Sequence, residues 1–393
     1  MVRTRRIRYI IFLRDVLVVA LMAFGGPQAH MVLFLDTMVR KRAYLTEAEL
    51  MELYALCQIL PGPTSTQTLT AIGFRIGGPP LAYLTLLVWA LPAVTIMIIA
   101  GLVMSLFAEQ QISIDFTRFI QPIAVGFVAF AAYRISSKVV ATNLGYFLMI
   151  ASAIIAYFFP NPFVFPALLV VGGGVTMLNY RKHAKEPKTR FKVVWTNFFI
   201  WAGVFVGLAA LGLITKALPV RLFENFYRNG SLIFGGGQVL IPLLYTEFVE
   251  FKQYLSSQEF LSGLAFAQSV PGPTFSFSAF VGTLSMREYG TWGEVLGGFI
   301  AAAGIFLPGT FLIFFVIRFW DALKKYRLVK ASLEGVHAAS SGLVSAAAFL
   351  LFEPIPSTGL NLLLIVATFS LLTWTRIPAP VIILLGLVAG FIF

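Results

Sequence analysis

Two decapeptides carry the residues of this chain that are able to do chemistry, QILPGPTSTQ at 58–67 and QSVPGPTFSF at 268–277. Each sets a glutamine three residues before a Pro-Gly-Pro break and places hydroxyl side chains directly after it. Pro61 lacks an N–H and disfavours helix at Leu60, Gly62 permits a sharp reversal, and Pro63 suits the first turn of a new helix. A helix beginning near Thr64 turns unpaired N–H groups and the positive end of its dipole toward whatever lies before it, which favours an anion. The candidate ligands are therefore Gln58, Gly62, Thr64 and Ser65, and in the second copy Gln268, Gly272, Thr274 and Ser276. An earlier break precedes each PGP. In FGGPQ at 24–28, Gly25 and Gly26 interrupt a helix and Gln28 falls in the first turn of the next; FGGGQ at 234–238 repeats this with Gly235, Gly236 and Gln238. The competing reading makes PGP a plain hinge between short helices, and makes Gln58 and Gln268 partners for loosened backbone carbonyls.

Few other residues offer chemistry. Thr46–Glu49 and Ser256–Glu259 fit the S/T-x-x-E capping box ahead of an apolar helix. Glu52 lies a turn deeper and is a proton-coupling candidate, as are Glu334 and His337, which are three apart and share a helix face. Arg14–Asp15, inside the first apolar segment, reads as a structural ion pair. Arg75, Arg134 and Arg287 read as loop markers whose stems snorkel. His30 has an apolar Leu240 at the equivalent place, which argues against a role for it. Cys57 is the single cysteine and there are three histidines, so neither a disulfide, a thiolate metal site nor a metal cluster is expected. No nucleophile and base are paired as an enzyme would need, and no cofactor is expected.

These residues sit in a very apolar chain. Hydrophobic residues make up 59% and charged ones 12%, with a mean hydropathy of +0.87, which lies outside the range of soluble domains. Apolar runs at 80–107, 117–135, 139–158, 162–180, 193–215, 291–319, 328–350, 357–374 and 378–393 are long enough for a hydrocarbon core of roughly 30 Å. The start MVRTRRIR followed by an apolar stretch resembles a secretory signal without a cleavage site, and is read as retained. The net charge of +12 falls in short loops between apolar runs, which is positive-inside patterning and not a nucleic-acid surface. The partners expected are a bilayer and a small anion.

The chain repeats itself. At an offset of 210, fifteen of the 41 positions 24–64 are identical, including FGG, the following Gln, Glu49 with Glu259, Gln58 with Gln268 and PGPT. Beyond a short insertion near residue 290 the offset becomes 216, pairing Leu91-Pro92 with Leu307-Pro308 and Gly126 with Gly342. Loop charge swaps sides between the copies. RKR at 40–42 corresponds to EFK at 250–252, RISSK at 134–138 to LFEPIPS, and the acidic to neutral 107–117 to the basic 318–330. Equivalent loops then face opposite sides, and the unmatched apolar segment 193–215 supplies the crossing that inverts the second copy. The alternative is parallel repeats with accidental loop charges. The expected fold is an all-α polytopic membrane protein of two inverted-topology repeats with broken half-helix hairpins. Its parts are a first repeat at 1–180, a basic cytoplasmic linker plus extra helix at 181–219, and a second repeat at 220–393, with the N-terminus cytoplasmic and the C-terminus opposite. Residues 46–75 enter and return, with PGP at a mid-membrane tip.

FGG near the start of each half and PGP about 35 residues later resemble the chromate ion transporter family, in its long two-domain form, over roughly 8–180 and 220–393. The resemblance implies an inner-membrane transporter that exports chromate, with sulfate as its look-alike. It carries to Phe24, Gly25, Gly26, Gln28, Pro61, Gly62, Pro63 and their partners 210 residues on, with Gly237 standing where the first copy has Pro27. The reading that follows is a secondary transporter that moves a tetrahedral oxyanion by alternating access on half-helix ends, as a monomer or homodimer. A sulfate or other anion transporter, and an anion channel using the same half-helices, stand as alternatives.

Overall fold

A computed structural model describes residues 2–182, 194–234, 237–323, 326–375 and 377–392. Every regular element among them is helical. The chain is an all-α polytopic membrane protein, and among the described residues five helices are long and apolar enough to cross a bilayer. The first stretch holds α1 (Val2–Met22), α2 (Gly26–Phe34), α3 (Glu47–Ile59) and α4 (Thr64–Glu109). Then come α5 (Ile120–Val139), α6 (Asn143–Phe158), α7 (Val164–Met177), α8 (Thr196–Thr215) and α9 (Leu218–Leu232). The remainder is α10 (Leu240–Leu244), α11 (Ser257–Ser269), α12 (Phe277–Ser285), α13 (Gly290–Val316), α14 (Trp320–Leu323), α15 (Arg327–Leu350), α16 (Gly359–Trp374) and α17 (Ala379–Ile392).

Local chemistry explains the breaks. Thr46 and Glu49 form the expected capping box at the start of α3, with the Thr46 N–H donating to Glu49 Oε2 at 2.8 Å and the Glu49 N–H donating to Thr46 Oγ1 at 3.2 Å. Ser256 and Glu259 repeat it at 2.8 and 3.2 Å. Leu60, ahead of Pro61, is extended (φ −82°, ψ 147°), and α3 ends there. α4 has 46 residues, about 69 Å of helix and twice a bilayer core. It breaks at Gly78 (φ 72°, ψ −165°), ahead of Pro79 and Pro80. Residues 64–77 are thus a returning limb of about 21 Å. The limb is antiparallel to α3: Arg75 pairs with Glu49 at 3.3 Å at the mouth, and Cys57 bonds the Thr68 side chain near the tip. Two π-helical segments, Leu35–Lys41 and Tyr245–Phe251, lie 210 residues apart, so the repeat extends to this uncommon geometry.

The chain folds into two compact units, each assembled from both halves of the sequence. The first comprises Met1–Leu102, Val194–Leu232 and Ala267–Arg318. In it, a Cβ on Gly62 would stand 3.4 Å from the Cα of Gly309, and a Cβ on Gly272 would stand 2.9 Å from the Cβ of Ala93. Gly272 is the repeat partner of Gly62, and 309 − 93 = 216, the second offset. Each PGP tip therefore packs on the same position of the opposite half. α8 runs along α9 and α13 with most of its surface uncovered, as a lipid-facing helix would; it is the segment without a sequence partner in the first half. Most of the basic linker 181–192 lies outside the described residues.

The second unit comprises Val103–Val193, Ile233–Phe266 and Phe319–Phe393, with α15 packed against α5, α6 and α7, and α16 against α5. Small residues let these backbones meet. A Cβ on Gly126 would press on the Ile365 carbonyl and Thr368, and one on Gly342 on the Met149 carbonyl and Ser152. Here too the contacts exchange: 342 − 126, 365 − 149 and 368 − 152 all equal 216. α6 and α7 are 16 and 14 residues long, shorter than the apolar runs that contain them: Thr142 caps α6, so it starts only at Asn143, and α7 runs from Val164 to Met177.

Candidate functional site

The first PGP tip is buried. The Gln67 N–H donates to the Pro63 carbonyl at 2.9 Å, which is the first bond of the new helix, so the amides of Thr64, Ser65 and Thr66 belong to its unpaired first turn. The side chains of that turn are inside the protein, with Ser65 4% exposed. Thr66 Oγ1 accepts from Trp89 Nε1 at 3.0 Å. Gln67 Nε2 donates to the carbonyls of Pro61 at 2.7 Å and Gly309 at 3.3 Å. Both are pure acceptors, which fixes the amide's orientation. Its Oε1 is buried with no partner among the described residues.

At the second tip, the Gly272 N–H donates to the Ala23 carbonyl at 2.8 Å, so one backbone donor of this copy is already engaged. Thr274 is half-buried and Ser276 buried. Residues Thr274–Ser276 form a 3-10 turn that leads into α12, a tighter start than that of α4.

His30 ties these pieces together. It is fully buried on α2, with Nδ1 3.0 Å from Ser65 Oγ and Nε2 3.2 Å from the Ala23 carbonyl. Its ring meets Trp89 edge-on, centroids 5.4 Å apart. Ala23 ends the segment before the FGG break, Ser65 starts the returning limb of the first hairpin, and Gly272 is the tip of the second. Sequence reasoning set His30 aside because Leu240 is its repeat partner, and passed over Gln67, whose partner is Phe277. The available signal was a single one for both: a polar side chain within one turn of a break in an apolar segment.

The other expected residues are distributed as follows. Gly25 (φ 87°) caps α2 in the left-handed region, and Gly26 (φ 77°) follows. Gln58 is exposed and bonds Tyr54 on its own helix. Gln268 is half-buried, its Nε2 without a partner among the described residues. Gly235 and Gly236, and the side chains of Gln28 and Gln238, lie outside the described residues. Glu52 is half-buried on α3; Glu334, exposed, and His337, half-buried, lie on α15 in the other unit. Asp15 corrects an expectation, for its ion pair is with Arg42 at 2.7 Å and not with Arg14, and it also accepts from Tyr44 Oη at 2.7 Å. Residues adjacent on a helix point apart, whereas the loop after the π segment returns to α1. Burial and the Asp15 carboxylate push the Tyr44 phenol up to about 12, and that carboxylate also raises Arg42. A cleft of about 340 Å³ opens at the hairpin's mouth, lined by Arg8, Tyr44, Glu49 and Arg75. Among the described residues no cluster of acidic, His or Cys side chains is arranged to hold a metal.

Apolar spanning helices combined with broken helices and a buried helix start define a multi-pass membrane protein of the discontinuous-helix kind. The chromate transporter family model matches residues 11–178 and 220–391, and the chain belongs to that family. It is 26% identical over 377 residues to a probable chromate transport protein of Synechococcus elongatus, covering 95% of this chain and 92% of that one. It is 24% identical over 377 residues to the chromate transport protein of Cupriavidus metallidurans, covering 94% and 90%. An uncharacterized transporter of Methanocaldococcus jannaschii is 24% identical over 379 residues, covering 95% and 91%. No solved structure matches at a significant level.

Proposed function

We propose that this protein is a secondary transporter that exports chromate, a tetrahedral oxyanion, across the inner membrane by alternating access. The observation that carries the reading is the buried start of α4, where the unpaired amides of 64–66 stand beside the Ser65 hydroxyl, which is linked through His30 and the Ala23 carbonyl to the Gly272 tip. A desolvated dianion needs several convergent donors, and half-helix ends supply them without a fixed cation. Gly25, Gly26, Gly62, Thr64, Ser65, Thr274 and Ser276 are the ligands proposed in this unit, while the Gly272 N–H, expected as a ligand, is given to the Ala23 carbonyl. Family membership and the names of two relatives support chromate as the substrate.

Inverted repeats are supported by one hydrogen bond in the second unit. Ser136 Oγ on α5 lies 2.7 Å from Ser341 Oγ on α15. Position 341 is equivalent to 125, since 341 − 216 = 125. Helices related by a two-fold axis along their length would bring residue 136 opposite its own equivalent. A shift of eleven positions, roughly 16 Å, suits an antiparallel pair. An interior-negative potential of 100 mV then favours the exit of a dianion by about 5 kcal/mol. The N-terminus lies in the cytoplasm and the C-terminus opposite.

Purified protein in sealed liposomes loaded with chromate, at a set potential and with sulfate as competitor, tests the proposal. Saturable efflux that grows with potential is the expected result. Sulfate movement without chromate movement overturns the substrate, and flux that never saturates replaces the transporter with a channel.

A further inference from the structure

The two nitrogens of His30 have different obligations. The Ala23 carbonyl, 3.2 Å from Nε2, can only accept, so Nε2 carries a hydrogen. In the neutral ring Nδ1 is then a lone pair, and the hydrogen between it and Ser65 Oγ, 3.0 Å away, comes from Ser65. In the imidazolium Nδ1 donates, Ser65 Oγ accepts, and the serine hydrogen is released. Ser65 stands in the first turn of α4, beside the unpaired amides of Thr64 and Thr66, so that hydrogen becomes an additional donor where an anion would sit.

We propose that His30 is the protonation switch of this site: one proton on Nδ1 converts the Ser65 hydroxyl from a donor spent on imidazole into a donor for an oxyanion. The inference rests on the oxyanion-transport reading above. His30 is a positioning residue here, acting through Ser65. The groups that meet its ring are the Ala23 carbonyl from the end of α1, Phe34 on its own helix, and Ser65 and Trp89 from α4. None of them titrates near neutrality, and no charged side chain among the described residues acts on it. The arriving anion is therefore the charge that favours the imidazolium, and by linkage the imidazolium favours the anion. The proton is taken from water as the anion binds and is returned to water when it leaves, so no other reactant is needed. The Ala23 carbonyl also accepts the Gly272 N–H, which connects the switch to the tip of the second hairpin.

The test uses the full chain in liposomes and reads chromate flux from pH 8 down to 5, in wild type, His30→Gln and Ser65→Ala. Glutamine keeps one donor and one acceptor but does not titrate. Comparing variants at each pH cancels the protonation of chromate itself. Across that range the wild-type KM should fall about ten-fold more than that of His30→Gln, the worth of one hydrogen bond to a charged group. The kcat should move less. Ser65→Ala should flatten the profile in the same way although the imidazole remains. A pH-sensitive dye should report more protons moved per chromate in wild type than in His30→Gln. A wild-type KM–pH profile retained in either variant overturns the switch. If His30→Gln does not accumulate, the Ser65→Ala profile decides alone. Absence of chromate movement in wild type would remove the transport reading and this inference with it.

Discussion

Gly62 and Gly309 meet backbone to backbone: a Cβ on Gly62 would stand 3.4 Å from the Cα of Gly309. The repeat-equivalent contact joins Gly272 to Ala93. Exchange of this kind, in which i meets j and the partner of i meets the partner of j, is the mark of two-fold packing. It gives a first prediction. Gly272 has φ 117°, a region nearly closed to residues with a Cβ, and a Cβ there would also press on that of Ala93. Gly272→Ala should lose about 1–3 kcal/mol, read as thermal unfolding in detergent. Adding Ala93→Gly should recover the steric part and leave the backbone part. Unchanged stability in Gly272→Ala would mean that the tip is not held as described.

The second unit offers a matched pair. The backbone carbonyls of Ile365 and Met149 occupy the space that Cβ atoms on Gly126 and Gly342 would need. Gly126→Ala and Gly342→Ala should each cost about 1–3 kcal/mol through overpacking, and by similar amounts. Gly174 on α7 has nothing within 4 Å of its Cβ position, so Gly174→Ala should instead gain up to about 1 kcal/mol of helix propensity. Equal effects at all three positions would refute the packing argument.

Local backbone chemistry made part of this legible in the sequence. Pro61 and Pro63 dictate where α3 stops and α4 starts, Thr46 and Glu49 dictate a capping box, and the two copies of FGG and PGP declare a duplication. Pairings across distance were not legible. His30 gains its place from Ser65, 35 residues away, and Gln67 from Gly309, 242 residues away. Asp15 found Arg42, 27 residues on, and not its neighbour Arg14. Burial of these groups depends on which helices pack, and periodicity is silent on that in segments apolar on every face.

The Asp15 network predicts an asymmetry between adjacent residues. Asp15→Asn leaves the Arg42 guanidinium and the Tyr44 hydroxyl facing a neutral amide, and should cost about 1–3 kcal/mol. Arg14 is exposed, and Arg14→Gln should stay within about 0.5 kcal/mol of wild type. Unfolding temperatures of the two variants decide it. A reversed order would return the ion pair to Arg14–Asp15.

Arg8 and Arg75 line the cleft at the mouth of the first hairpin, and Arg75 is held by Glu49 at 3.3 Å. Two guanidiniums at a cleft raise the local concentration of anions. Arg8→Gln and Arg75→Gln should each raise the chromate KM several-fold at low salt with kcat nearly kept, and the effect should shrink once the screening length falls to about 8 Å at physiological ionic strength. A KM that rises equally at all salt concentrations would point to local distortion of the hairpin.

The lone cysteine makes the proposed inverted topology directly testable. Cys57 is fully buried and should resist maleimide in the native protein, while Cys57→Ser provides a cysteine-free background. Gln111 lies in the loop between α4 and α5, and Arg318 lies just after α13 in the basic connection that is its sequence equivalent; both are exposed. With Cys57→Ser, an added Gln111→Cys should react with a membrane-impermeant maleimide from outside the cell. An added Arg318→Cys should react only after permeabilisation, because the charge bias of the two loops is opposite. Labelling of both from the same side would make the repeats parallel, and the Ser136–Ser341 contact would then need another explanation.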